Sequence, residues 1–345
     1  MRPSLLRATL AAAALLALAG YAAPAGAQSD ILLRLRSGSP LGDRFRVDSA
    51  SGFVAKGFIG IGIIPFTGAG DRTMWHPFKA GFRTGGVDFD QWDDGNFGFY
   101  SLASGYNTIA KGNYSIAAGY GSWALQSYGV GMGYNARSNG VGAVALGYQS
   151  TADANYSVAI GQRASTNGFT GAIVISDQSN GDSVLASAAN QFSLRAAGGV
   201  RLYTNATKTT GVSLNAGGSS WNVISDRNRK EGFLALDGED LLARLRGVPV
   251  TTWRYRDEAD RTVRHIGPMA QDWHRAFGFN ADATTINMSD FDGVNLAAIQ
   301  ALERRTAELQ AQRAEVARLR TELTDTQRRL ADLEAAVRRL QEEHR

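Results

Sequence analysis

FYSLASGYNTIAKG (99–112), NYSIAAGYGSWALQ (113–126), SYGVGMGYNARSNG (127–140), VGAVALGYQSTADA (141–154) and NYSVAIGQ (155–162) are one motif written five times. Gly105, Gly119, Gly133, Gly147 and Gly161 stand 14 residues apart. Tyr106, Tyr120, Tyr134 and Tyr148 follow four of them; Ala103, Ala117, Ala145 and Ala159 precede them by two. A second tyrosine column, Tyr100, Tyr114, Tyr128 and Tyr156, comes five residues ahead of the glycines. A fixed period is the signature of a solenoid or stacked array. Fourteen residues are too few for a pair of helices and suit two short strands with two turns. Alanine and serine at the inward positions leave a thin core. A glycine at one fixed place calls for positive φ or close backbone approach. Coils stacked at strand spacing rise roughly 4.8 Å each, so five span about 24 Å. So thin a roll buries little apolar surface per coil, and packing against further copies of itself would supply the missing burial.

With Ser157-Val158-Ala159-Ile160-Gly161 and its 14-residue spacing, the segment resembles the head repeats of YadA-like trimeric adhesins. That resemblance implies a left-handed parallel β-roll assembled as a homotrimer. Gly131 and Gly142 depart from the pattern, standing where alanine and tyrosine belong. Ile175 stands where the next glycine would fall, which puts the expected end of the roll there.

On either side of the repeat the chain changes character. Arg2 and Arg7, the apolar run 10–19 and Ala25-Gly26-Ala27 read as a secretory signal peptide, residues 1–27. Residues 28–98 read as a β-rich cap region with short runs such as Phe58-Ile59-Gly60-Ile61-Gly62-Ile63-Ile64. Residues 176–224 read as a β-rich connector. From 295 to 345, Leu302, Leu309, Val316, Leu323, Leu330 and Val337 recur every seven residues. Arg305, Gln312, Leu319, Thr326, Leu333 and Leu340 are their seam partners, the pattern of a coiled coil. The polar members Arg305, Gln312 and Thr326 are candidates for setting register.

The chain has no cysteine, which excludes disulfides and thiolate chemistry. A net charge of +4, with acids and bases interspersed, gives no nucleic-acid footprint. Only five of the 36 basic residues are lysine, and the last of them, Lys230, follows Ser225-Asp226-Arg227-Asn228-Arg229. A serine hydroxyl needs a base, and a lysine amine serves where burial or nearby positive charge favours its neutral form. Arg227 and Arg229 push that way and Asp226 opposes; arginine itself cannot give up its proton. By spacing alone the pair is equally a helix cap and a surface residue.

Four motifs in order change its meaning. They are the segment 225–230; a short amphipathic helix from Asp240 to Leu245 leading into residues 248–255; Arg264-His265-Ile266-Gly267-Pro268-Met269-Ala270-Gln271-Asp272; and residues 292–302. Together they resemble the intramolecular chaperone domain of phage endosialidase tailspikes and bacterial tail-fibre-like proteins. The resemblance implies a self-cleaving chaperone domain at 225–294. It trimerises, templates the upstream β-structure and cuts the chain between Ile224 and Ser225. Ser225 is then the nucleophile and Lys230 its base, while Asp226 orients the turn. His265 and Gln271 are implied supporting residues. Asp272 replaces a glutamate common in the family, and Gly267-Pro268 is closer to its bacterial branch.

The expected architecture is thus a mainly β N-terminal part, a small α+β chaperone domain and a C-terminal coiled coil. The expected protein is a secreted or cell-surface bacterial homotrimer with no cofactor, no metal and no membrane-spanning anchor in the mature chain. The surface ligand, glycan or protein, is left open. An uncleaved trimeric adhesin or tail-fibre-like protein with a permanent coiled-coil stalk is the alternative reading. Asp88, Asp90, Asp93 and Asp94 cluster without calcium-loop spacing and read as a capping loop. The two tyrosine columns read as packing between coils.

Overall fold

The computed structural model describes residues 31–37, 42–49, 52–279 and 282–343; the expected signal peptide at 1–27 lies outside them. The chain divides into two compact units. One runs to Val200 and includes Asn215–Gly218; the other comprises Arg201–Leu214 and Ser219 onward.

The first unit opens with an antiparallel sheet of β1 (Ile31–Ser37), β2 (Gly42–Asp48) and β3 (Phe53–Ala55). A hairpin follows, β4 (Gly70–His76) against β5 (Gly81–Val87). β5 then pairs in parallel with Leu102–Tyr106, the long strand of the first repeat. Each later repeat lays its long strand beside the last, in register, with Gly105, Gly119, Gly133, Gly147 and Gly161 aligned. The two-residue strands between them stack into a second parallel sheet. The product is a β-roll, as the period requires.

Its core is made of alanine. Ala103, Ala117, Ala145 and Ala159 from the long strands and Ala110, Ala124 and Ala152 from the short ones are all fully buried. Ser115 and Ser157 are buried too, and their hydroxyls donate to the carbonyls of Gly112 and Ala154 at 2.6 and 2.7 Å. The aligned glycines serve both expected purposes: Gly119 has φ +104°, and a Cβ there would lie 2.1 Å from the Gly133 carbonyl oxygen. The corner tyrosines Tyr100, Tyr114, Tyr128 and Tyr156 also hold positive φ, from 55° to 64°. Gly142, which interrupts that column, has φ +62°, so the departure puts the least strained residue at a left-handed corner.

The roll outruns its expected limit at Ile175. Ile173–Ser176 is itself covered in parallel by Phe192–Arg195. The extra coil is hidden because its corner is rebuilt. Ser176 takes the aligned-glycine place, and the following loop is held from inside by Arg195. That guanidinium donates to Asp177 Oδ1, the Asp182 carbonyl and Ser176 Oγ, each at 2.9 Å. The longer loop breaks the 14-residue spacing while the strand register continues.

Both tyrosine columns stack. Ring centres in the series Tyr106, Tyr120, Tyr134 and Tyr148 lie 5.6, 5.1 and 5.0 Å apart. Those of Tyr100, Tyr114 and Tyr128 lie 5.1 and 5.4 Å apart. On the outer face of the long-strand sheet, Leu102, Ile116, Val130, Val144, Val158, Ile173 and Phe192 fall into one column, none of them buried.

A three-stranded sheet follows, Val200–Tyr203, Gly211–Leu214 and Trp221–Val223, all of it but Val200 in the second unit. A small α+β body comes next. Helix α1 (Gly238–Arg246) is capped by Asp237, whose carboxylate accepts from the amides of Glu239 and Asp240. The hairpin Thr251–Trp253/His265–Gly267 follows, then α2 (Ala270–Phe277), ended by Gly278 in the left-handed conformation. Helix α3 runs unbroken from Met288 to Glu343, beginning seven residues before the heptad segment expected from 295. Leu241 and Leu242 of α1, Trp273 of α2 and Val294, Ala298 and Ala301 of α3 form the core. Past that core the rest of α3 is open to solvent. From Leu302 to Glu342 every residue except Ala336 is exposed, including the whole seam. No helix among the described residues is long and apolar enough to cross a membrane.

Candidate functional site

Ile224 directly follows the last strand of the preceding sheet, its amide donating to the Gly211 carbonyl at 3.2 Å. The chain then turns. Asp226 Oδ1 accepts from the Asn228 amide at 2.9 Å and caps a single 3₁₀ turn, Arg227–Arg229. Backbone bonds from Arg229 to Asp226 and from Lys230 to Arg227 close it. This turn folds Lys230 back onto the start of the segment, where its Nζ donates to Ser225 Oγ at 2.6 Å. Five residues of spacing become direct contact because the turn shortens the path.

The surrounding charges are arranged. Arg229 Nε lies 3.4 Å from Asp226 Oδ2, and its Nη1 reaches the Thr209 carbonyl at 3.4 Å. Arg227 lies over the Phe233 ring at 5.7 Å. Asp226 thus holds the turn both at the backbone and through a side-chain ion pair. Ser225 and Lys230 are both exposed, whereas Ile224 is half-buried.

His265 is held elsewhere. Its Nε2 lies 3.1 Å from Glu258 Oε1, and its ring packs against Trp253 and Tyr255 at 4.7 and 5.5 Å. Gln271 sits exposed in the first turn of α2. Among the described residues, no hydrogen bond or ion pair links either one to Ser225 or Lys230 within a chain. Asp272 pairs with Arg275 at 2.9 Å. Glu258 carried no signal in the sequence; only the hairpin turn brings it to His265.

The acidic cluster near the start of the roll is distributed among separate partners. Asp88 accepts from the Tyr106 hydroxyl and from Asn107. Asp93 accepts from the Gly68 amide at 2.7 Å. Asp94 contacts His76 at 2.9 Å and Lys79 at 3.1 Å. The His76 hydrogen bond, helped by Lys79, holds the Asp94 carboxyl below the usual carboxylate range.

Residues 225–280 match the family described as chaperone of endosialidase. The match begins at Ser225 itself. The YadA head domain repeat matches residues 98–122, 124–148 and 138–164, the stacked coils of the roll. No curated protein and no solved structure matches the chain. The endosialidase-chaperone segment therefore carries the Ser225–Lys230 contact at its first turn, and also includes the His265–Glu258 hairpin and α1 and α2.

Proposed function

We propose that this chain is a secreted or cell-surface homotrimeric fibre of the adhesin or tail-fibre kind. Its C-terminal chaperone domain assembles the trimer and then cuts the Ile224–Ser225 bond. The observation that carries this reading is the 2.6 Å contact between Lys230 Nζ and Ser225 Oγ at the first residues of the chaperone match.

The chemistry is intramolecular. A neutral Lys230 amine takes the Ser225 hydroxyl proton, and Oγ attacks the Ile224 carbonyl carbon. The carbon–nitrogen bond breaks, the Ser225 amine leaves with a proton, and Ile224 is held as an ester on Oγ. Water then cleaves the ester to an Ile224 carboxylate and the free hydroxyl. In a single chain the pair is open to water. Neighbouring copies that cover the turn remove that water, and desolvation disfavours the charged amine. Cleavage is thereby tied to assembly.

Two apolar surfaces left unburied in one chain support the trimer. One is the seam of α3 and the other is the apolar column on the roll's outer face. A stripe of this kind repeating every seven residues is the pattern that partner helices bury. Parallel β-structure depends on non-local pairing and forms slowly, whereas a helical bundle forms from local contacts and holds the chains at high effective concentration. An uncut trimer with a permanent stalk keeps both surfaces and lacks only the Ser225–Lys230 chemistry.

Intact mass spectrometry of the denatured protein separates the two. The wild type gives two masses that split at Ile224–Ser225, and Ser225→Ala and Lys230→Arg each give one uncut mass. A single uncut mass from the wild type rules out self-cleavage.

A further inference from the structure

The Ile224–Ser225 bond lies between two elements that hold it from either side. On the acyl side, Trp221–Val223 pairs antiparallel with Gly211–Leu214, and Val223 stands opposite Val212. The Ile224 amide extends that pairing to the Gly211 carbonyl. On the amine side is the capped turn that brings Lys230 onto Ser225. Attack needs the nucleophile and the carbonyl carbon kept at one distance and one angle, so the two elements must also be fixed to each other.

One side chain does this. Arg229 Nη1 donates to the Thr209 carbonyl at 3.4 Å, and Nε of the same guanidinium lies 3.4 Å from Asp226 Oδ2. Thr209 stands two residues before Gly211, whose carbonyl holds Ile224. Its own carbonyl is presented by a built turn, residues 204–210. Asn205 Oδ1 accepts from the amides of Thr209 and Thr210 at 2.9 and 3.3 Å. The Thr204 amide donates to the Thr210 carbonyl at 3.1 Å. In the sequence Arg229 counted as a positive charge near Lys230. In the fold that charge faces Asp226, and the side chain ties the capped turn to the turn ahead of the strand that holds Ile224.

We propose that Arg229 is a positioning residue for self-cleavage, bracing the Ser225–Lys230 turn against the 204–210 turn and so limiting the angles from which Oγ meets the Ile224 carbonyl carbon. The proposal rests on the self-cleavage reading. It makes the sheet ahead of the bond part of the device. A chain whose 204–210 turn is unformed offers Arg229 no carbonyl, and the reactive turn is left to pivot.

The full chain is made by cell-free synthesis, translation is stopped, and cutting is timed by intact mass spectrometry. Arg229→Ala slows the cut about tenfold, as loss of one charge-assisted hydrogen bond predicts, and Arg229→Lys restores part of the rate. Asn205→Ala, which loosens the turn presenting Thr209, slows it by a similar factor. Both act through one contact, so the double variant is also about tenfold slow, where independent sites would multiply to about a hundredfold. The pH of half-maximal rate stays at the wild-type value in Arg229→Ala; a rise would mark an effect of its charge on Lys230. In a Ser225→Ala background, the Arg229 and Asn205 variants keep the assembly mass in sedimentation equilibrium. A wild type that is never cut removes the self-cleavage reading and the brace with it. If the wild type is cut, the brace alone is overturned by Arg229→Ala cutting at the same rate, by multiplicative slowing, by a raised half-maximal pH or by a lowered assembly mass.

Discussion

Lys230 reaches Ser225 because Asp226 caps the turn between them, so the contact depends on a third residue that takes no part in it. The types and order of these residues were legible in the sequence; their contact required the turn. His265 is the opposite case. Its motif was legible, but its partner Glu258 comes from a hairpin loop with no recognisable pattern, and within one chain the pair lies apart from Ser225. Residue-scale electrostatics also makes a prediction for the first unit. The Asp94 carboxyl is held below its ordinary range, first by the His76 hydrogen bond and then by Lys79. A carboxyl depressed in the folded state adds stability that is complete above its unfolded pKa of about 3.9 and is lost as pH falls through the folded value. The melting temperature should therefore drop between about pH 5 and about pH 3. Asp94→Asn should lower it at pH 7 and flatten that drop, as followed by thermal unfolding monitored by circular dichroism.

At the scale of elements, each coil is held by backbone that approaches too closely for side chains. Gly119→Ala sets a methyl 2.1 Å from the Gly133 carbonyl at a φ of +104° and should cost about 3 kcal/mol or more. Gly142→Asn keeps a left-handed φ that asparagine tolerates and should change stability by less than about 1 kcal/mol. Denaturant unfolding of the two variants measures the difference. The repeat period was readable because identical coils demand identical corners. The last coil escaped that reading because Arg195 and the 177–182 loop make a corner of another kind. Arg305 is a similar case. Its place in the seam suggests a register device, and in the fold it pairs with Glu239 of α1, which fastens α3 to its own domain.

At the scale of the whole molecule, the α3 seam is exposed in one chain and is the surface that the proposed assembly buries. Val316 and Leu323 are successive members of that seam, both about half exposed. Val316→Asp with Leu323→Asp should lower the assembly mass in sedimentation equilibrium. If cutting follows assembly, the same variant should remain uncut in intact mass spectrometry although Ser225 and Lys230 are untouched. Self-cleavage by a variant that stays monomeric would separate the two events. The stacked roll, the long heptad helix and the Ser225–Lys230 candidate are readable from the order of residues alone, because each is a periodic or local pattern that the chain repeats or keeps within a few residues. Where the roll stops, what holds His265 and Arg305, and the capped turn that closes the 2.6 Å contact emerge only in the folded chain. Those outcomes depend on loop geometry and on partners distant in the chain, and a one-dimensional pattern carries neither.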